Sequence, residues 1–318
     1  MMHWDVFNGD ADGLCALHQL RLCAPRRATL VTGVKRDIAL LHRVAAGPGD
    51  SVTVLDVSLA ANRAPLDALL GRGVAVQYFD HHFAGSPPSH PALELHIDTA
   101  PDTCTGLIVD RFLAGRQRLW AIVAAYGDAL PGPASELAAQ QGLDRSQVVA
   151  LRELGEALAY NAYGEREADL VIAPAALYRT LSRHADPFAC RQDEPVIARI
   201  LATMRDDLAL ARSVAPSLDL PSGALYVLPA AAWSHRVRGA LGNELALASP
   251  DRAYAILTPD GRGGFVVSVR APRRAGTGAD RLCRRYAGGG GRATAAGIDH
   301  LPGAELGRFE ADFIAAFS

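Results

Sequence analysis

The chain has 318 residues, of which 49% are hydrophobic, so it is long enough for two domains and can bury a large core. Its net charge of −2 argues against a strongly basic surface for long duplex nucleic acid, while a small local polyanion site stays compatible. The five cysteines are scattered without a CxxC pair, which argues against a zinc knuckle and a disulfide framework and suits a reducing cytoplasm. No signal peptide is evident and no apolar run reaches about 18 residues, so we expect neither a leader nor a membrane segment.

The first 130 residues alternate short apolar runs with helical patterns, which predicts an α/β domain with a parallel sheet flanked by helices. The predicted strands are 3–7, 28–34, 51–57, 74–80 and 93–98. The predicted helices are 13–23, 37–45, 59–71, 103–114 and 117–127. In such sheets ligands bind beyond the carboxyl ends of the strands, so polar side chains at those ends are the first candidates for a site.

The remaining sequence predicts a helical connector and a second, smaller α/β domain. Residues 134–214 are mostly helical in pattern, and proline and glycine residues mark a linker near 214–223. The connector helices are predicted at 145–162, 165–183 and 194–213. The C-terminal strands are predicted at 224–229, 253–257 and 264–270, and the helices at 235–248, 279–286 and 303–317. We therefore divide the chain into a metal-binding domain (1–190), a helical linker (191–223) and a C-terminal domain (224–318).

Acidic side chains stand at or just past the ends of three predicted strands. They are Asp10, Asp12, Asp56 and Asp80. His81 and His82 follow Asp80 directly, and Asp128 ends a predicted helix. Taken singly, each aspartate could instead cap a helix. A single histidine could instead be a core residue whose ring nitrogens are hydrogen-bonded. Their agreement in position favours a two-metal phosphoryl-transfer centre with oxygen and nitrogen ligands.

A glycine run near the C-terminus, Gly288–Gly291, is followed by Arg292. We predict that it opens a small-residue helix whose backbone N–H groups receive an anion, with Arg292 as a clamp. Arg270, which ends a predicted strand, is a second candidate anion ligand. A flexible turn and a surface arginine are the alternatives. The basic residues are otherwise arginine except Lys35, which we attribute to a codon bias of the genome toward Arg and Ala.

Together these segments resemble the DHH family of phosphoesterases over nearly the whole chain. Asp80-His81-His82 is similar to the motif that names the family, and residues 8–13 (Asn-Gly-Asp-Ala-Asp-Gly) resemble its first motif in the RecJ-type form. Asp56 and Asp128 match the aspartates of the second and fourth motifs. The C-terminal half resembles the DHH-associated domain in three short segments. These are Ser268-Val269-Arg270, Gly289-Gly290-Gly291-Arg292 and Ala295-Ala296-Gly297.

The resemblance implies a centre of two Mn²⁺ or Mg²⁺ ions and a metal-activated water that attacks the phosphate. One ion would be held by Asp10 and Asp56. The ligands of the other would be Asp12, Asp56, His81 and Asp128. The catalytic group would be Asp80, His81 and His82, with Asp80 and His82 behind the ligands or facing the substrate. The substrate-binding group would be Arg270, Gly289, Gly290, Gly291 and Arg292.

Two positions depart from the family pattern. Val6 stands where many small members have a histidine, so one metal would bind more weakly or use Asn8 or water. Arg292 replaces the histidine of the glycine motif; it would hold phosphate, but it cannot act as a general acid at neutral pH.

The sequence thus predicts a cytoplasmic, metal-dependent phosphoesterase, exonuclease-like, acting on small nucleotides or short single-stranded oligonucleotides. An exopolyphosphatase or pyrophosphatase is the alternative within the same class. A nucleotide-binding protein with a decayed centre is the alternative from another class. The natural substrate, the direction of attack and the oligomeric state stay open, with a homodimer as one alternative.

Overall fold

The structure is a computed structural model that describes residues 1–272, 274, 276 and 278–317. It consists of two compact units, Met1–Ala202 and Thr203–Ser318. None of the helices in the described part of the chain is long and apolar enough to cross a membrane.

A five-stranded sheet, parallel throughout, forms the centre of the first unit and confirms the predicted fold class. Its strands are β1 (His3–Phe7), β2 (Thr29–Val31), β3 (Ser51–Leu55), β4 (Ala75–Asp80) and β5 (Leu93–Ile97). The strands lie in the order β2-β1-β3-β4-β5, so the ends of β1, β3 and β4 are neighbours at one edge. Branched side chains such as Val6, Val54 and Val76 are buried in its core, as is usual for a parallel sheet covered by helices.

Nine α-helices lie between residues 11 and 212, all of which the structure describes, and two of the predicted helices differ from them, one being reduced to a turn and one shortened. The helices are α1 (Ala11–Cys23), α2 (Arg63–Gly71), α3 (Thr105–Phe112), α4 (Arg118–Gly127), α5 (Pro131–Gln140), α6 (Arg145–Ala162), α7 (Pro174–Leu181), α8 (Pro187–Asp193) and α9 (Pro195–Arg212). The predicted helix 37–45 is reduced to a 3₁₀ turn, because Asn62 binds the backbone of Ile38 and Leu41. The predicted helix 165–183 is shortened to α7, which begins at Pro174, since proline fits a first turn but not a helix interior.

The second unit contains a six-stranded mixed sheet, as predicted for a second α/β domain. Its strands are β6 (Leu218–Leu220), β7 (Gly223–Val227), β8 (Ala253–Pro259), β9 (Gly264–Arg270), β10 (Gly289–Gly291) and β11 (Ala295–Pro302). The order is β10-β11-β9-β8-β7-β6, with β7 and β8 parallel and the other pairs antiparallel. Its helices are α10 (Ala232–Ala248), α11 (Ala279–Cys283) and α12 (Leu306–Phe317).

The glycine run forms a hairpin strand and does not open a helix, which corrects the prediction. Gly289–Gly291 is β10, and it pairs antiparallel with β11. The turn closes through hydrogen bonds between Arg292 and Ala295, in which each N–H donates to the other's carbonyl, at 2.9 and 3.2 Å. Glycine is required at Gly289 because a Cβ there would lie 1.9 Å from the carbonyl oxygen of Cys283.

Candidate metal centre

The structure brings the predicted metal-binding and catalytic residues together at the carboxyl edge of the parallel sheet. Asp10 follows β1, Asp56 follows β3, and Asp80 is the last residue of β4. Because these strands are parallel neighbours, their ends and the loops that follow them converge. Asp12 lies in the first turn of α1, and Asp128 caps the C-terminus of α4.

Asp10 is the N-cap of α1 and is already paired with a cation. Its Oδ1 accepts the N–H groups of Asp12 at 3.0 Å and Gly13 at 3.1 Å. Its Oδ2 accepts a hydrogen bond from Lys35 Nζ at 2.6 Å. Burial by itself would raise the pKa of this carboxyl, but the charge and hydrogen bond of Lys35, together with hydrogen bonds from Asp56 and Gly13, lower the pKa to about 2.

The carboxylate of Asp12 accepts hydrogen bonds from the first residues of α3. Its Oδ2 accepts the N–H of Thr105 and its Oδ1 that of Gly106, both at 2.7 Å. These N–H groups have no partner within their own helix, so Asp12 satisfies them. Burial, followed by the charge of Asp128, nevertheless raises the pKa of Asp12 to about 6. Asp12 therefore takes up a proton far more readily than Asp10.

Asp56 adopts a left-handed backbone conformation, with a φ of 58°, which is strained for a residue other than glycine. Its N–H donates to the carbonyl of Phe79 at 3.0 Å, and its Oδ1 accepts from Thr105 Oγ1 at 3.4 Å. The side chain is 2% exposed. Burial and the charges of Asp10 and Asp12 raise its pKa well above the usual range.

The two histidines of the Asp80-His81-His82 segment have different partners. Buried Asp80 accepts through Oδ1 the N–H of His81 at 2.9 Å and the ring Nδ1 of His82 at 2.7 Å. Burial would lower the pKa of His82, but this hydrogen bond raises it. His81 instead points Nε2 at the acidic cluster, 3.4 Å from Asp56 Oδ1 and 3.9 Å from Asp128 Oδ2.

The side chains fit a divalent cation. Two groups in the described part of the chain bring one ligand atom from each member within 4.8 Å of one another. They are Asp56, His81 and His82, and Asp12, His81 and Asp128. Four carboxylates meet here with one lysine, and buried charges of one sign are costly without compensation. Carboxylate oxygens with an imidazole are ligands that suit Mn²⁺ and Mg²⁺.

Sequence reasoning missed Lys35, whose Nζ also lies 3.5 Å from Asp128 Oδ1. Burial opposes its charge, but Asp10 raises its pKa above the usual range. Asn8, considered above as a substitute ligand, instead donates its amide to the carbonyl of Lys35 at 3.1 Å and accepts the N–H of Asp10 at 3.2 Å. Val6, at the expected histidine position, is fully buried in the core.

The predicted substrate-binding residues belong to the second unit, and their role stays a prediction. Arg270 donates to Asn243 Oδ1 at 2.8 Å and to Ser268 Oγ at 2.9 Å. Arg292 is exposed in the turn that follows β10.

The parallel sheet with its acidic edge and the mixed-sheet unit define a RecJ-like DHH fold. Among solved structures, the chain is similar to an exonuclease RecJ bound to manganese, with 18% identity and a TM-score of 0.65 over 99% of this chain and 89% of that one. It is also similar to RecJ in complex with Mn²⁺ from Thermus thermophilus, with 19% identity and a TM-score of 0.63 over 99% of this chain. In this second comparison, the present chain spans about half (51%) of the length of the RecJ chain.

A third similar structure is a pGpG-specific phosphodiesterase, PggH from Vibrio cholerae. The identity is 16% and the TM-score 0.54, over 99% of this chain and 98% of that one. Comparisons with protein-family models and with curated proteins gave no match. At these identities the likeness establishes the fold.

Proposed function

We propose that this protein is a metal-dependent phosphoesterase that hydrolyses phosphate esters of small nucleotides or short single-stranded oligonucleotides. The observation that carries the proposal is the convergence of buried carboxylates on the imidazole of His81 at the carboxyl edge of the sheet. The similar structures, by name an exonuclease and a pGpG-specific phosphodiesterase, support this substrate class.

The residues that would hold Mn²⁺ or Mg²⁺ are Asp12, Asp56, His81 and Asp128. A bound divalent cation would lower the pKa of water and neutralise charge on the transferring phosphoryl group. Asp12 is oriented for this role by the start of α3, and Asp56 by its strained backbone. Two ions remain the prediction from the family resemblance, and the pairing of Asp10 with Lys35 bears on that number.

His82 is suited to proton transfer. Asp80 fixes its ring through Nδ1, and the side chain is 41% exposed, so the other ring nitrogen is open to a ligand. The raised pKa favours the imidazolium form, which can donate a proton to the leaving oxygen of the ester. Asp80 would act through His82, by holding its tautomer and orientation.

Phe83 favours a nucleotide over a polyphosphate. It follows His82 directly and is 79% exposed, which is unusual for a large aromatic side chain. Bases stack on exposed aromatic rings, whereas a polyphosphate offers no such surface. We assign Arg270, Arg292 and the strand Gly289–Gly291 to the phosphate groups of the substrate, in keeping with the family resemblance.

A substrate panel with Mn²⁺ tests the proposal. It contains a dinucleotide, a cyclic dinucleotide, adenosine 3′,5′-bisphosphate, tripolyphosphate and single-stranded DNA. We expect the dinucleotide to be among the best substrates, and we expect EDTA to abolish turnover and added Mn²⁺ to restore it. Asp56→Asn prepared in parallel controls for a contaminating nuclease. Turnover of tripolyphosphate alone would favour the polyphosphatase alternative, and activity in excess EDTA would refute metal dependence.

A further inference from the structure

Lys35 is the only lysine of the chain, and its ammonium lies inside the acidic cluster. Every other Lys or Arg position of the chain is arginine, so Lys35 is the one exception to the codon bias. An ammonium is a compact point charge with three donors, whereas a guanidinium is a wide planar fork. The lysine therefore places a compact positive charge beside Asp10 and Asp128.

Hydrogen bonds to the backbone of Lys35 fix the point from which its ammonium extends. The N–H of Lys35 donates to the carbonyl of Ala162 at 3.0 Å, and its carbonyl accepts from Asn8 Nδ2 at 3.1 Å. The ring of Tyr163 lies 5.8 Å from Nζ, close enough for a cation–π contact. Residues on both sides thus fix the main chain from which the side chain extends to the cluster.

Both oxygens of Asp10, like those of Asp12, accept hydrogen bonds, and one of the donors to Asp10 is the ammonium of Lys35. The Oδ1 of Asp10 accepts two N–H groups of α1, and its Oδ2 accepts the ammonium at 2.6 Å. In the described part of the chain, Asp10 belongs to neither group of side chains that could hold a metal ion. The carboxylate assigned to the first ion by the family resemblance is thus already neutralised by a cation of the chain.

The group of Asp56, His81 and His82 is weakened as a metal site, because His82 has another partner. The His82 nitrogen that faces Asp56, Nδ1, lies 3.9 Å from Asp56 Oδ1 but only 2.7 Å from Asp80 Oδ1. A nitrogen that donates its proton to Asp80 has no lone pair for a metal. Asp56 and His81 remain free to join Asp12 and Asp128 around one ion, because His81 Nε2 faces both Asp56 and Asp128.

We propose that the ammonium of Lys35 takes the place of one of the two cations that the family resemblance implies, so that the centre binds a single divalent ion on its His81 side. The inference rests on the proposed metal-dependent function and specifies its cofactor. In this centre Lys35, beside Asp10 and Asp128, would supply a fixed positive charge to the phosphoryl oxygens of the substrate.

The test counts Mn²⁺ bound to the full chain at saturation and records the electron paramagnetic resonance spectrum. We expect one Mn²⁺ per wild-type chain, with the spectrum of an isolated ion. Lys35→Met keeps the length of the side chain and removes its charge, so it should bind two Mn²⁺ with an exchange-coupled spectrum. Lys35→Gln, which keeps a donor for Asp10, provides a second neutral variant. Arg36→Met is the matched control, because Arg36 is the adjacent cation and pairs with Glu165 instead.

Three results of the Mn²⁺ count would overturn the inference. Two coupled ions in the wild-type chain would overturn it and leave the proposed function intact, and this result needs no variant to fold. One ion in the wild-type chain and also in both neutral variants would overturn it too, because Lys35 would not then limit the count. Binding of no Mn²⁺ by any of the proteins would overturn the proposed metal-dependent function, and this inference with it.

Discussion

The acidic centre has two sides that differ in how their negative charge is compensated. On one side Asp10 faces Lys35, and its pKa is lowered to about 2. On the other side Asp12 and Asp56 face His81 and Asp128, and their pKa values are raised, that of Asp12 to about 6. Asp10 and Asp12 are two residues apart, so their neighbours and not their place in the sequence cause the difference. The carboxyl that pairs with Lys35 has the lowered pKa, and the two that lie among other carboxylates have the raised ones.

The largest expected effect follows from removing Asp56, which faces His81 and which the family resemblance assigns to both ions. Asp56→Asn should reduce Mn²⁺-dependent hydrolysis by on the order of a thousand-fold, because the amide cannot replace a charged ligand of the metal. Steady-state kinetics with the best substrate of the panel measure this loss.

A matched control separates this effect from a general loss of an aspartate. Asp67 on α2 forms an exposed ion pair with Arg63, which is worth little in free energy. Asp67→Asn should therefore leave turnover unchanged. Near wild-type turnover in Asp56→Asn would remove the metal centre proposed here.

The second prediction compares the two sides directly. Asp12→Asn should weaken Mn²⁺ binding by about 10- to 100-fold, since the side chain lies in the group around His81. Asp10→Asn should weaken it less, because the charge of Asp10 is already balanced by the ammonium of Lys35. Titration calorimetry with Mn²⁺ gives both affinities. A larger loss in Asp10→Asn would show that Asp10 is a metal ligand and would reverse the comparison.

The third prediction concerns the pH dependence of stability in the metal-free protein. The pKa of Asp12 is raised from 3.8 to about 6, so the folded chain holds a proton that the unfolded chain releases between these values. Raising the pH through this window should lower the free energy of unfolding, by about 1.4 kcal/mol per pH unit at most for this group. Denaturant unfolding at several pH values between 4 and 7 measures it.

Asp12→Asn cannot titrate and serves as the reference for this measurement. The stability of the wild-type chain relative to Asp12→Asn should fall as the pH rises toward 6 and then level off. Mn²⁺ should suppress the fall, because the cation takes the place of the proton. A relative stability that increases with pH would contradict the raised pKa.

The strand ends were predictable from the sequence because their geometry is general. Parallel strands place their carboxyl ends at one edge, so apolar runs that end in Asp10, Asp56 and Asp80 sufficed to predict a cluster. Lys35 gave no such signal, because it lies in the loop after the short strand β2, with no periodic pattern around it. Its rarity was the available clue: a lone lysine in an arginine-rich chain is the exception to the codon bias.

The glycine run was harder to predict, because glycine fits both a loop that opens a helix and a tight hairpin. The choice depends on partners distant in sequence: β11 pairs with both β10 and β9 and so carries the hairpin into the sheet. Helix 37–45 failed for a related reason, since the side chain of Asn62 captures backbone groups that the helix would need. Long-range contacts of this kind leave no local pattern.

The smallest expected effect tests whether the exposed ring beside the centre recognises a base. Phe83→Ala should raise the KM for a dinucleotide about 5-fold, corresponding to a stacking energy of about 1 kcal/mol. It should leave the KM for tripolyphosphate unchanged, because that substrate has no base. Leu247→Ala, which removes a comparably exposed apolar side chain (67%) from α10, is the control and should affect neither. An equal rise for both substrates would mean that Phe83 shapes the centre itself, and the preference for nucleotides would then need another source than stacking.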